Sequence, residues 1–184
     1  MKNWIYIALI FVLGCAEKPE TEQSEIFQPE PRPEDNISPE DLMEVNKNWT
    51  LDESFHIDQF VKRHNWDAIK TETGLRYSIY HNGDGEQAKS GMVAFVNYEI
   101  RLLNADTSLC YNSNPGEPQD FLIEMDNVES GLHEGMSYMH VGDKAFIILP
   151  HYLAHGLLGD LDKIPPLSPV LYDIELVDVK PYNP

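Results

Sequence analysis

The stretch Leu132-His133-Glu134-Gly135-Met136-Ser137-Tyr138-Met139-His140-Val141-Gly142-Asp143-Lys144-Ala145 constrains this chain more than any other. It reads as a short helix, a Gly-containing turn and then a strand from Ala145 to Leu149. The segments around it change to the period of strands. Trp66–Lys70 and Leu75–Tyr80 are short strand candidates, separated from the next by the turn signal Asn82-Gly83-Asp84-Gly85. Met92–Leu102 is a long strand and Phe121–Glu124 a short one. In Val170–Val179, Leu171, Asp173 and Glu175 oppose Val170, Tyr172, Ile174 and Leu176, the alternation of a half-buried strand. Several strands with one helix between them predict an α+β fold, an antiparallel sheet wrapped on one short helix.

Upstream the chain divides by composition. Asp52–His64 has Ile57, Phe60 and Val61 at helical spacing, and Asp52 is a plausible cap. This helix precedes the strands, and its expected job is packing. Residues 16–50 are rich in Glu, Asp and Pro, so they have little to bury and read as an extended, self-repelling tether. The expected organisation is therefore residues 1–15 as a leader, 16–50 as tether, 51–72 as helical extension and 73–180 as the folded domain.

The leader has a cationic start, Lys2, and an apolar run from Trp4 to Leu13 that is too short for a comfortable membrane span. Val12-Leu13-Gly14-Cys15 resembles a bacterial lipobox, in which the cysteine becomes the lipidated first residue of the mature protein. That resemblance implies a membrane anchor at Cys15 and a place in the bacterial cell envelope. Cys110 is then the one thiol left, and no intramolecular disulfide is expected. The formal net charge of -18 would repel a nucleic-acid backbone and argues against that class of partner.

Motifs for covalent or cofactor chemistry are absent from the sequence. No Gly-x-Ser-x-Gly and no phosphate-binding loop occurs. His151 and His155 are four apart, but they lie beside Pro150 and Gly156 without a third ligand at metal spacing. His133-Glu134 has no second histidine at the spacing of a metalloprotease. Cys110 reads as a buried thiol. No metal and no cofactor is expected.

Glu134-Gly135 within an apolar run, Met139 and Val141-Gly142-Asp143 resemble the signature of the FKBP-type peptidyl-prolyl isomerases, and the similarity covers roughly residues 73–180. Gly74-Leu75-Arg76-Tyr77 is similar to that family's first core strand, and Met92–Tyr98 to its Val-x-x-x-Tyr strand. Asn127–Leu132 matches the turn and helix start. Leu149–Gly156 resembles the family's flap, Ile164-Pro165-Pro166 its closing Ile-Pro-Pro, and Val170–Leu176 its last strand. The stretch Gly159–Ile164 is similar to flaps of lipid-anchored members from gliding bacteria.

What the resemblance implies is an FKBP-like fold and an isomerase acting on proline-containing polypeptides as they fold. Tyr98, Val128, Leu132, Ile164 and Tyr172 would line the prolyl pocket, and the backbone N–H of Glu129 would donate to a substrate carbonyl next to proline. Four positions depart from the family pattern. Cys110 and Gln119 stand where aromatic walls are usual, Tyr111 where the pocket has Asp, and His155 where the flap has Tyr. These substrate-binding positions raise a second reading, a binding or chaperone module on the same fold with weakened turnover, serving an envelope assembly.

Overall fold

The computed structural model describes residues 38–114 and 116–183. The leader 1–15, its Cys15 and residues 16–37 of the expected tether lie outside the described residues.

The first described element is helix α1, Pro39–Arg63. It starts 13 residues before the predicted start at Asp52, and residues 39–50 are helix rather than tether. The cause is a capping box. Ser38 Oγ accepts a hydrogen bond from the Asp41 N–H at 3.1 Å, and the Asp41 carboxylate accepts from the Ser38 N–H at 3.1 Å. Pro39 occupies the first turn, where its missing N–H is harmless, and Glu40 and Asp41 meet the positive end of the helix dipole. Reading Pro and acidic residues as tether composition hid a helix start.

Seven strands follow around a second helix: β1 (Ile69–Lys70), β2 (Arg76–His81), β3 (Met92–Leu102), β4 (Leu109–Asn112), β5 (Gln119–Leu122), α2 (Ser130–Met136), β6 (Lys144–Leu149) and β7 (Val170–Pro181). A short 3-10 turn, His151–Leu153, sits in the long connection after β6. The sheet order is β1-β2-β6-β7-β3-β4, every pairing is antiparallel, and β5 also pairs with β3. β3 carries two short strands on one edge: Val93–Val96 pair with β5 and Glu99–Arg101 with β4. Of the candidate Trp66–Lys70 only Ile69 and Lys70 are strand, and Phe121–Glu124 shifts to Gln119–Leu122.

The main core lies between the sheet and α2. Ala94, Val96 and Ile100 of β3 and Tyr172, Ile174 and Leu176 of β7 turn inward against Leu132 and Met136. Gly131 and Gly135, four apart on α2, let the helix lie close to β6. A Cβ on Gly131 would meet Leu149 Cδ2 at 2.5 Å, and one on Gly135 would meet Ile147 Cδ1 at 2.8 Å. The resulting α+β fold, with an N-terminal helix, is the one predicted.

The outer face of the sheet is also covered. Ile57 and Phe60 of α1 pack on Ile148 and Leu171, and Trp66 stacks on Phe146 with ring centroids 4.0 Å apart. Leu171, placed by the alternation on the polar side of β7, is therefore buried, at 4% exposure. The buried Arg76 fastens α1 to β2: its guanidinium donates to Asp58 Oδ1 at 2.7 and 3.0 Å and to Ser54 O and Oγ. Charge-assisted donation keeps a cation stable where water is scarce.

Candidate functional site

The site is built where the N-terminus of α2 meets the connection from β6 to β7. Glu129 is the N-cap of α2, and its carbonyl accepts from the N–H groups of Leu132 and His133. Its own N–H has no acceptor among the described residues. A cavity of about 300 Å³ opens there, lined by Asn127, Val128, Glu129, Ala154 and His155.

Of the five apolar positions singled out in the sequence, Val128 lines this cavity, and all five belong to or pack against the main core. Leu132, Ile164 and Tyr172 are buried in the main core, and Tyr98 and Val128 are half-buried against the same cluster. The rings of Tyr98 and Tyr172 are 6.2 Å apart and tilted by 52°. Their source elements differ: Tyr98 comes from β3, Tyr172 from β7, Leu132 from α2 and Ile164 from the connection after the 3-10 turn. Only the folded sheet brings them into one core.

The side chain of Glu129 turns into this group. Burial pushes the Tyr172 phenol well above its ordinary range, and the nearby Glu129 carboxylate pushes the same way. Tyr98 is raised by the same two causes in the same order. Glu129 Oε1 lies 2.9 Å from His155 Nε2. The two atoms are close without the alignment of a hydrogen bond, and Nε2 is a buried atom with no hydrogen-bonded partner.

Of the four departing positions, His155 lines the cavity, and Cys110 and Tyr111 contact the loop 160–163. Cys110 is buried in β4, with Sγ 3.8 Å from the carbonyl of Lys163, and burial pushes its thiol up. The Tyr111 hydroxyl donates to the carboxylates of Asp160 and Asp162. His155 faces Glu129. Gln119 stands apart: it is exposed at the start of β5, paired in register with Val96, and shares neither cavity nor hydrogen bond with the others.

Asp160 and Lys163 were not singled out in the sequence. Asp160 Oδ1 accepts from the N–H groups of Asp162 at 2.9 Å and Ile164 at 2.8 Å, which folds the loop and positions Ile164. Partial desolvation opposes its ionisation, but the Tyr111 hydroxyl and those two N–H groups prevail and bring it down to about 2. Lys163 Nζ donates to the Cys110 carbonyl at 2.9 Å and lies 4.7 Å from the Tyr111 ring centroid. Gly159-Asp160-Leu161-Asp162 carries residue types that favour turns, a local signal; the partner on β4, some fifty residues earlier, leaves none.

His151 and His155 do not converge. The His151 main-chain N–H and Nδ1 both reach the Glu53 carboxylate of α1, each at 2.8 Å. Among the described residues no group of three His, Cys, Asp or Glu side chains is arranged to hold a metal ion.

A family model described as FKBP-type peptidyl-prolyl cis-trans isomerase matches residues 84–177. The FKBP-type peptidyl-prolyl cis-trans isomerase FkpA of Escherichia coli (strain K12) is 36% identical over 115 residues, 62% of this chain and 41% of that protein. A probable FKBP-type peptidyl-prolyl cis-trans isomerase of Haemophilus influenzae is 32% identical over 118 residues, 62% of this chain and 46% of that protein. Among solved structures, FkpA from Escherichia coli superposes with a TM-score of 0.61 at 31% identity, covering 77% of this chain and 65% of that one. A peptidyl-prolyl cis-trans isomerase from Pseudomonas syringae pv. tomato shares the fold with a TM-score of 0.62 at 24% identity, over 73% of this chain and 95% of that one. The chain thus spans less than half the length of these curated relatives.

Proposed function

The chain belongs to the FKBP-type peptidyl-prolyl cis-trans isomerases, and from that premise we propose that it catalyses rotation about X–Pro bonds in polypeptides that are folding. The barrier to that rotation is about 18–20 kcal/mol, because twisting removes amide resonance. No bond to the substrate is made or broken, so the reaction needs no nucleophile, metal or cofactor. It needs a dry, shaped cavity that binds the twisted amide better than the planar one. A twisted amide is less polar, and apolar walls favour it.

The observation that supports the reading is the Glu129 N–H, free of any acceptor among the described residues, at a cavity that Glu129 lines with Val128, while Tyr98, Leu132, Ile164 and Tyr172 belong to the core against which Val128 packs. In this reading the N–H holds a substrate carbonyl next to proline, Leu132 is the floor, Ile164 and Tyr172 are walls, and Tyr98 and Val128 border the opening. Cys110, Tyr111 and His155 take the edge of the substrate surface. Gln119 has least support there, since it lies apart from the cavity.

The test is a protease-free prolyl isomerisation assay on the full chain, with Leu132→Ala and Tyr98→Ala beside the parent. Catalysis by the parent that falls at least tenfold in both variants is the expected result. No catalysis from a folded parent would overturn it and favour the second reading, a binding or chaperone module. Cys110, Tyr111, Gln119 and His155 are the positions that discriminate between the two readings.

We further propose that Cys15 is lipidated and holds the protein in a bacterial cell envelope, with envelope or secreted polypeptides as its clients. Val12-Leu13-Gly14-Cys15 at the end of a short apolar run supports this. Among the described residues no helix is long and apolar enough to cross a membrane. Incorporation of labelled fatty acid into the parent, lost in Cys15→Ala, is the expected result.

A further inference from the structure

The N–H assigned to the substrate belongs to a residue whose side chain is a carboxylate. The Glu129 side chain is 14% exposed, so its charge is largely withdrawn from water. An anion in that position requires a counter-charge or strong donors. Its donor among the described residues is the Tyr172 hydroxyl, a neutral group that leaves the charge without a fixed cation. His155 is close but out of line for a hydrogen bond, and it carries full charge only when protonated. The other neighbours are two phenols, Tyr98 and Tyr172.

The loop beside it does not compensate. Asp160 and Asp162 add two carboxylates, against which stands one cation, Lys163, already committed to the Cys110 carbonyl and the Tyr111 ring. Asp160 is near enough to His155 for the two to interact. A polypeptide that places its carbonyl on the Glu129 N–H lays the adjoining side chains along this anionic rim.

We infer that the Glu129 side chain determines substrate choice, selecting polypeptides with a lysine or arginine flanking the proline and rejecting those with an acidic residue there. The inference rests on the isomerase reading for the position of the substrate. A flanking cation gives the Glu129 carboxylate a full opposite charge beside the neutral Tyr172 donor. A flanking carboxylate meets Glu129, Asp160 and Asp162 together.

The experiment compares peptides that carry Lys, Leu or Glu on either side of one proline, with the full chain, Glu129→Gln and Glu129→Lys. The expected order of kcat/KM for the parent is Lys, then Leu, then Glu, with Lys and Glu separated by roughly tenfold at low salt and less at high salt. Glu129→Gln narrows that ratio to about twofold or less, and Glu129→Lys inverts it. A parent that turns over all three peptides but with a ratio unmoved by either variant overturns the inference and leaves the isomerase reading intact. If the parent turns over none, the same peptides are titrated against the labelled protein by NMR. A preference for Lys over Glu that Glu129→Gln removes then supports the selectivity for a binding module. No such preference overturns it.

Discussion

Glu53 of α1 accepts two hydrogen bonds from His151, one from the main-chain N–H and one at Nδ1, each 2.8 Å long. The two residues are 98 apart in sequence, and their side chains are 10% and 12% exposed. This contact ties the N-terminal helix to the first residue of the 3-10 turn, from which the loop carrying His155, Asp160 and Ile164 departs. The helix therefore supports the loop that forms one side of the site.

Removing that acceptor leaves two donors without a partner in a poorly hydrated place. Glu53→Ala is expected to cost about 2–4 kcal/mol of unfolding free energy, because each orphaned donor costs roughly 1–3 kcal/mol and the gap admits some water. Glu53→Gln retains one acceptor and should cost about half as much. Urea denaturation of the three proteins measures both. A loss below about 0.5 kcal/mol for Glu53→Ala would show that the helix and the loop are held by other contacts.

Leu171 tests whether α1 covers the sheet. It is 4% exposed beneath Ile57 and Phe60, whereas Val177 on the same strand is 37% exposed. Leu171→Ala should destabilise by about 2–5 kcal/mol, the range for a buried leucine, and Val177→Ala by about 1 kcal/mol or less. Equal small effects would mean that the helix leaves the sheet in solution.

Asp160 gives the loop a dependence on acid. Its carboxylate is held down to about 2, below the ordinary value of 3.8, chiefly by Tyr111 and the N–H groups of Asp162 and Ile164 working against partial desolvation. A carboxylate with a lowered folded pKa contributes stability that is fully present above its unfolded pKa. That contribution is lost as pH falls from about 4 to about 2. The parent should lose more stability than Asp160→Asn over that window and match its pH dependence above pH 5. Tyr111→Phe should remove part of the difference. Thermal melts at pH 5, 3.5 and 2.5 provide the measurement, and parallel curves for the parent and Asp160→Asn would refute the pairing.

Gly131 and Gly135 separate two effects of opposite sign. Alanine favours a helix over glycine by about 1 kcal/mol. At Gly131 the added Cβ meets Leu149 Cδ2 at 2.5 Å and the Leu153 carbonyl at 3.0 Å, and a carbonyl cannot rotate away. Gly131→Ala is expected to lose about 1–3 kcal/mol net, by overpacking. At Gly135 the contact is the end of the Ile147 side chain at 2.8 Å, which has room to adjust by rotation only within the core. Gly135→Ala should lie within about 1 kcal/mol of the parent. Reversal of that order in chemical denaturation would place the closer approach at Gly135.

Much of this arrangement was legible before the structure. The bounds of β3, Met92–Leu102, follow from the length of its apolar run, and those of β6 and β7 fall within two residues of their predicted ends. Strands buried against one helix advertise themselves by repeated branched and aromatic residues. β4 did not: Leu109–Asn112 is four residues long and becomes a strand because β3 pairs with it. Leu171 was placed on the wrong side of the burial boundary because a period of two reports one covered face, and α1 covers the other.

The positions of Tyr98, Val128, Leu132, Ile164 and Tyr172 were also named from the sequence, through residues similar to those of a known pocket. The direction of the Glu129 side chain was not, nor were the partners of Tyr111, Lys163 and His151. Local pattern determines which segments become strand or helix, because the period of burial and the capping groups act over a few neighbouring residues. Tyr111 meets Asp160 across 49 residues, Lys163 meets Cys110 across 53 and His151 meets Glu53 across 98. Contacts at that separation exist only after the sheet has closed, so the electrostatic character of the site was decided by tertiary structure alone.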